Sequence, residues 1–213
     1  MTDQPIDMDQ IREYFAGKLE QHGATPRGVD WNSTGAQDTR FSQLAKVIAP
    51  LDKPFSLLDY GSGFGSFYEY LVSQGIKPNK YVGFDIVEGM VTKGRELHAN
   101  KTGVVFQSSE ADLPVCDYVV ASGIFNIKLD TDYDQWTAYV VKTISRMNDL
   151  ADRGFSMNFL TKYSDADHMR SDLYYADPGY IFDVCKRRFS RNVAILHDYD
   201  LYDFTVVVRK KLD

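Results

Sequence analysis

The stretch SLLDYGSGFGSFYEYL, residues 56–71, constrains the fold of this chain more than any other. A short apolar run ends in an acid, Asp59, and passes through Gly61, Gly63 and Gly65 before the pattern turns helical. Alternating glycines let the backbone turn tightly and approach a ligand with no Cβ in the way. A helix starting at such a turn offers unpaired N–H groups at its first residues. The pattern predicts a strand, a ligand-facing turn and a helix, the binding unit of an open α/β sheet.

The rest of the chain repeats that unit. From about Phe55 onward, apolar runs at 55–59, 80–86, 103–107, 116–121 and 154–160 alternate with amphipathic stretches at 66–74, 88–98 and 133–150. Such alternation marks a parallel sheet covered by helices. Trp136, Val140, Ile144, Met147 and Leu150 recur on one face at helical spacing, and Gly154 follows shortly after the end of that stretch. Asp177 and Pro178 form an N-cap and first helical residue for a helix running to about Phe189. RNVAILHDYD and LYDFTVVVRK have no room for a helix between them and pair as an antiparallel hairpin. The expected fold is α/β and Rossmann-like, with a seven-stranded, mostly parallel sheet ending in an antiparallel hairpin. Helices over 7–20 and 34–49 precede the repeating unit and suit a lid or cap. One domain is expected over 1–213, with the cap at 1–50 and the α/β core at 51–213.

Composition narrows the class of partner. With 213 residues, 44% hydrophobic and 25% charged, the chain can bury a full core. A net charge of −6 argues against nucleic acid as the main partner. The basic run Lys186, Arg187, Arg188 and Arg191 is read as a solvated helix end. No window approaches the ~20 apolar residues of a membrane span. The start MTDQPIDMDQIREYF lacks the basic head and apolar segment of a secretory signal. Cys116 and Cys185 form no CxxC pair and suit reduced, packed thiols of a cytoplasmic protein. Asp130, Asp132 and Asp134 alternate as calcium ligands do, but Gln135 and Val141 stand where such a loop needs glycine and glutamate. They are expected to solvate a loop and cap a helix, with no metal.

The turn itself discriminates between ligands. Dinucleotide folds use G-x-G-x-x-G, with a pyrophosphate at the helix N-terminus. Here Gly61-Ser62-Gly63-Phe64-Gly65-Ser66 places Ser66 where the third glycine belongs. Asp59 just before the turn repels a pyrophosphate and suits a ligand with an ammonium group, as S-adenosylmethionine has. Asp85 ends YVGFD, 20 residues beyond Gly65, where an acid can take both ribose hydroxyls of an adenosine. An NAD-linked oxidoreductase and a non-catalytic cofactor-binding module are the alternatives.

These motifs resemble those of the class I S-adenosylmethionine-dependent methyltransferases, over roughly Arg40 to Lys210. Within that superfamily the chain looks like the small bacterial, trans-aconitate-methyltransferase-like enzymes. LLDYGSGFGSF is similar to the first family motif and YVGFDIVEGMV to the second. DYVVASGIFN stands at the fourth strand and its active-site loop, and HDYDLYDFTVVVRK resembles the closing hairpin. The resemblance implies that Gly61, Ser62, Gly63 and Gly65 wrap the methionine part of the cofactor. Asp85 would take the ribose hydroxyls and Ile86 would pack on the adenine. Ser108 and Ser109 would border the adenine edge, where relatives have Gly-Asp. Arg40, about one helix upstream of the first motif, is the candidate partner of the cofactor carboxylate.

The acceptor belongs above the carboxyl ends of the fourth and fifth strands. That nominates Ser122, Phe125 and Asn126 after the fourth, and Asn158 and Tyr163 after the fifth. Asn126 could orient an acceptor, while Tyr174, Tyr175 and Trp31 could line its pocket. His197, beside Asp198 in the hairpin, is the candidate general base. His22 and His98 are expected to be solvated, and His168 to lie in a loop over the site. The loop SGIFN lacks the (N/D)-P-P-(Y/F) sequence of base-amino methylating enzymes. The expectation is O- or N-methylation of a small molecule by a monomer or homodimer, with S-adenosylhomocysteine as product.

Overall fold

The computed structural model describes residues 6–29, 33–49 and 53–210. Trp31 therefore lies outside the described residues. The central strands are β1 (Ser56–Tyr60), β2 (Lys80–Phe84), β3 (Val104–Gln107), β4 (Cys116–Ala121) and β5 (Ala151–Thr161). Leu57 and Leu58 point to opposite faces and both are fully buried. Burial on both faces is what an unbroken apolar run becomes in a covered parallel sheet. Beyond β5 come a two-residue β6 (Tyr175–Ala176), β7 (Asn192–Leu196) and β8 (Asp203–Arg209).

The strand order is β3-β2-β1-β4-β5-β8-β7, with β6 beside β5. β1 to β5 pair in parallel, while β8 runs antiparallel between β5 and β7. The mostly parallel sheet with a closing hairpin is thus as expected. Order reverses between β1 and β4, and their carboxyl ends open a crevice.

Helices α1 (Met8–His22), α2 (Thr34–Ala45), α3 (Ser66–Ser73), α4 (Glu88–Leu97), α5 (Tyr133–Leu150) and α6 (Pro178–Arg188) complete the fold. Phe41, Leu44, Phe67 and Val91 bring α2, α3 and α4 onto the sheet face of Leu57 and Tyr81. Trp136, Val140 and Ile181 bring α5 and α6 onto the face of Leu58 and Val82. Asp132 caps α5 by accepting from the N–H groups of Asp134 and Gln135. Asp177 caps α6 through Gly179 and Tyr180, with Pro178 at the first turn. Cys116 and Cys185 are free and buried, and no helix among the described residues is long and apolar enough to cross a membrane.

α5 ends at Leu150, shortly before Gly154 as expected; β5 begins directly at Ala151, and Gly154 lies inside it. A Cβ there would meet the Val208 carbonyl oxygen of β8 at 2.6 Å. Two local readings change. α2 ends at Ala45, and Val47 and Ile48 are buried from the turn that follows. His98 is not solvated but 4% exposed, stacked on Phe106 with ring centroids 5.3 Å apart.

Candidate active site

The carboxyl ends of β1 and β2 are tied together by the glycine turn. The N–H groups of Gly61 and Ser62 both donate to the carbonyl oxygen of Phe84, at 2.7 and 2.8 Å. Gly61 adopts φ 86°, and a Cβ on it would lie 2.1 Å from Cγ2 of Ile124, beyond β4. Gly63 N–H donates to Oδ2 of Asp85 at 2.8 Å, and Val87 N–H donates to Oδ1 at 2.9 Å. Asp85 thus clamps the turn and starts the approach to α4 at once, and each oxygen keeps a lone pair for a ligand. Gly65 serves a different purpose from that expected. It does not line the cavity, and a Cβ there would lie 2.7 Å from both His98 and Phe106. His98 holds the turn from behind, with Nε2 3.2 Å from the Phe64 carbonyl oxygen.

Below this turn lies a cavity of ≈ 380 Å³. Asp59, Gly61, Ser62, Gly63, Asp85 and Ile86, all nominated from the sequence, are brought together in its lining. Ser122 lines it too, and its buried Oγ has no hydrogen-bond partner among the described residues. Asp59 accepts from the Tyr81 hydroxyl at 2.6 Å. A two-acid set with glycine amides and a partnerless hydroxyl fits a ligand bearing ammonium and ribose groups.

Other nominated residues lie elsewhere. Arg40 does not reach the cavity; its guanidinium grips both oxygens of Asp203, at 2.9 and 2.5 Å. Ser108 bonds Glu88, and Ser109 bonds Asp112 at 2.7 Å, both exposed. The Asn126 carboxamide accepts from Leu160 N–H at 3.3 Å, which ties down its own loop. Asn158 holds Gly123 N–H at 2.8 Å. Phe125 stacks on Phe159 in the core, Tyr174 is 1% exposed, and the Tyr175 hydroxyl accepts from Arg170 N–H at 2.9 Å. Tyr163 is 68% exposed and pairs with the exposed His197, ring centroids 6.4 Å apart. His197 follows β7, three strands beyond β4, which is about 14 Å at ~4.8 Å per strand. It is out of reach as a base for chemistry at the β1–β4 crevice. His168 is also exposed, against Tyr202.

The cavity also holds residues that the sequence did not single out. Gln37, one turn before Arg40, lines it where Arg40 was expected. Glu110, one position after Ser109, lines it and accepts from the Tyr60 hydroxyl at 2.7 Å. Met8, Ile11 and Phe15 of α1 form an apolar part of its wall. The i, i+3, i+7 spacing of these three was the available signal.

Burial sets the electrostatics. It pushes the Asp59 carboxyl from 3.8 to about 7; the Asp85 charge adds to this and the Tyr81 hydroxyl opposes it. Burial also raises Asp85, to about 6, against the opposing N–H groups of Val87 and Gly63. Between roughly pH 4 and 7 the folded chain holds protons that the unfolded chain has released, so this contribution to stability falls as pH rises. Asp59→Asn removes the larger part. Its melting temperature relative to wild type is expected to rise between about pH 4.5 and 7.5. A flat difference in thermal melts would show that Asp59 ionises normally, and a falling one that its carboxyl is shifted down instead.

No family model matches the chain. The Mycobacterium tuberculosis protein "Putative methyltransferase Rv1506c" is 45% identical over 157 residues, 74% of this chain and 94% of that protein. The fold is similar to that of magnesium protoporphyrin IX methyltransferase from Synechocystis PCC 6803 with bound S-adenosylhomocysteine. The TM-score is 0.66 at 17% identity, over 96% of this chain and 100% of that one. It is also similar to Burkholderia thailandensis 1,6-didemethyltoxoflavin-N1-methyltransferase, with TM-score 0.65 and 16% identity over 98% and 93%. With its glycine turn, paired acids and sheet order, the chain belongs to the class I S-adenosylmethionine-dependent methyltransferases.

Proposed function

We propose that the chain methylates a small-molecule acceptor at oxygen or nitrogen. The observation that carries this is the cavity at the β1–β4 crevice, where the Asp85 clamp, the partnerless Ser122 hydroxyl and the α1 wall converge. S-adenosylmethionine, when bound, supplies a methyl carbon activated by its sulfonium. Asp85 would accept from the ribose hydroxyls, and Asp59 would face the ammonium group. Glu110, rather than Ser109, would accept from the adenine amino group beside Ile86. Gln37, rather than Arg40, would donate to the cofactor carboxylate. Met8, Ile11 and Phe15 would exclude water and hold the acceptor, with Ser122 as the polar contact.

Among the described residues no histidine lines the cavity. We therefore rest the rate on positioning, which alone can supply several kcal/mol, and assign no general base. No metal has a role in this reading, since Asp132 is a helix cap. The net charge of −6 favours a small acceptor over nucleic acid, and the two methyltransferases of similar fold are named for a porphyrin and for 1,6-didemethyltoxoflavin, both small molecules. A cytoplasmic monomer or homodimer, as one domain in the trans-aconitate-methyltransferase-like branch, remains our reading from the sequence.

The test is an incubation with methyl-labelled S-adenosylmethionine and a panel of planar heterocyclic and carboxylate acceptors. Label in an extractable small molecule is expected. Label carried into RNA, DNA or protein, with none in the panel, would overturn the acceptor class.

A further inference from the structure

A buried polar chain runs from α2 through β8 and β5 to the cavity wall. Arg40 of α2 donates from Nε and Nη2 to the two oxygens of Asp203 on β8. Asn158 of β5 donates from Nδ2 to Oδ1 of Asp203 at 3.1 Å, and its own Oδ1 accepts from Gly123 N–H at 2.8 Å. Asp203 and Asn158 are 1% and 0% exposed. An ionised carboxylate only accepts, so Asp203 dictates which end of the Asn158 amide faces it. The opposite end is thereby held as an acceptor against Gly123.

Position makes this consequential. The β4–β5 ladder ends at the pair Ala121 and Met157, and Gly123 leaves the sheet with φ 74°. The Asn158 side chain supplies the bond that the ladder no longer offers. Ser122, Gly123 and Ile124 all line the cavity, and Ile124 fills the space above Gly61. A buried ion pair contributes little net stability compared with apolar residues of the same shape. Fixing an orientation is the better account of why one is placed here.

We infer that Arg40, Asp203 and Asn158 are positioning residues that set the segment after β4 as the wall of the methyl-transfer cavity. The ligand's identity rests on the function proposed above, but the relay does not. Amide hydrogen exchange on the ligand-free, full-length protein separates the two.

In the wild type, Gly123 N–H should exchange as slowly as Leu58 and Val119 N–H, although Gly123 lies outside the ladder. Asn158→Ala should speed exchange at Gly123 and Ile124 by about tenfold or more relative to those core amides. Affinity for S-adenosylhomocysteine, read by calorimetry, should weaken roughly fivefold or more. Unchanged exchange at Gly123 in Asn158→Ala, or equal acceleration at Leu58 and Val119, would reduce the relay to ordinary core packing. Should Asn158→Ala fail to fold, the wild-type rate decides: a Gly123 N–H exchanging like an open loop amide overturns the inference. If exchange responds as expected but S-adenosylhomocysteine never binds, the relay stands and the cofactor assignment falls.

Discussion

Gly61→Ala is expected to weaken S-adenosylhomocysteine binding about 100-fold while the sheet still forms. Two costs combine. A left-handed backbone is unfavourable for alanine by roughly 1–2 kcal/mol, and Gly61 sits at φ 86°. The added Cβ would also lie 2.1 Å from Ile124 Cγ2, so Ile124 has to move, and Ile124 is part of the cavity wall. Gly75→Ala separates these effects. Gly75 has φ 77° but nothing within 4 Å of an added Cβ, so that variant should lose stability and keep its affinity. Calorimetry on both variants checks this. Affinity within about threefold of wild type in Gly61→Ala would mean the ligand does not depend on the turn.

Asp85→Ala carries the second large effect. Hydrogen bonds to a charged group contribute roughly 1.5–3 kcal/mol, which corresponds to about 10- to 150-fold in affinity. Asp85 gathers Gly63 N–H and Val87 N–H, so its loss frees the turn as well as removing a ribose acceptor. Weakening within that range is expected, with melting temperature lowered less than in Gly61→Ala. Unchanged affinity in a folded variant would leave Asp85 as no more than the entry to α4.

The parts of the site legible in the sequence are those written in neighbouring residues. The glycine turn, the Asp85 strand end and the caps at Asp132 and Asp177 each depend on contacts a few positions apart. The Arg40 pair does not: its partner Asp203 is 163 residues away. An arginine one helix before the turn looks the same whether it faces a ligand or a buried carboxylate. Gln37 was the informative neighbour, and a glutamine carries no signal of its own.

His197 was misjudged for a topological reason. The hairpin was foreseen, but β8 inserts between β5 and β7, which pushes the end of β7 a further strand from the crevice. His98 was misjudged for the opposite reason. Its polar sequence neighbours are exposed, while the ring itself fills the space left by Gly65. The two-residue β6 is too short to show any period. Ser109 and Glu110 differ by one position, and only the loop after β3 decides that Glu110 is the one at the cavity.

Titration calorimetry of the purified protein with S-adenosylhomocysteine and with NAD tests the central claim most directly. The account predicts one saturable S-adenosylhomocysteine site per chain and a raised melting temperature, as any ligand of the native state produces. NAD should give neither. Saturable NAD binding, with no heat and no thermal shift from S-adenosylhomocysteine or S-adenosylmethionine, would contradict it.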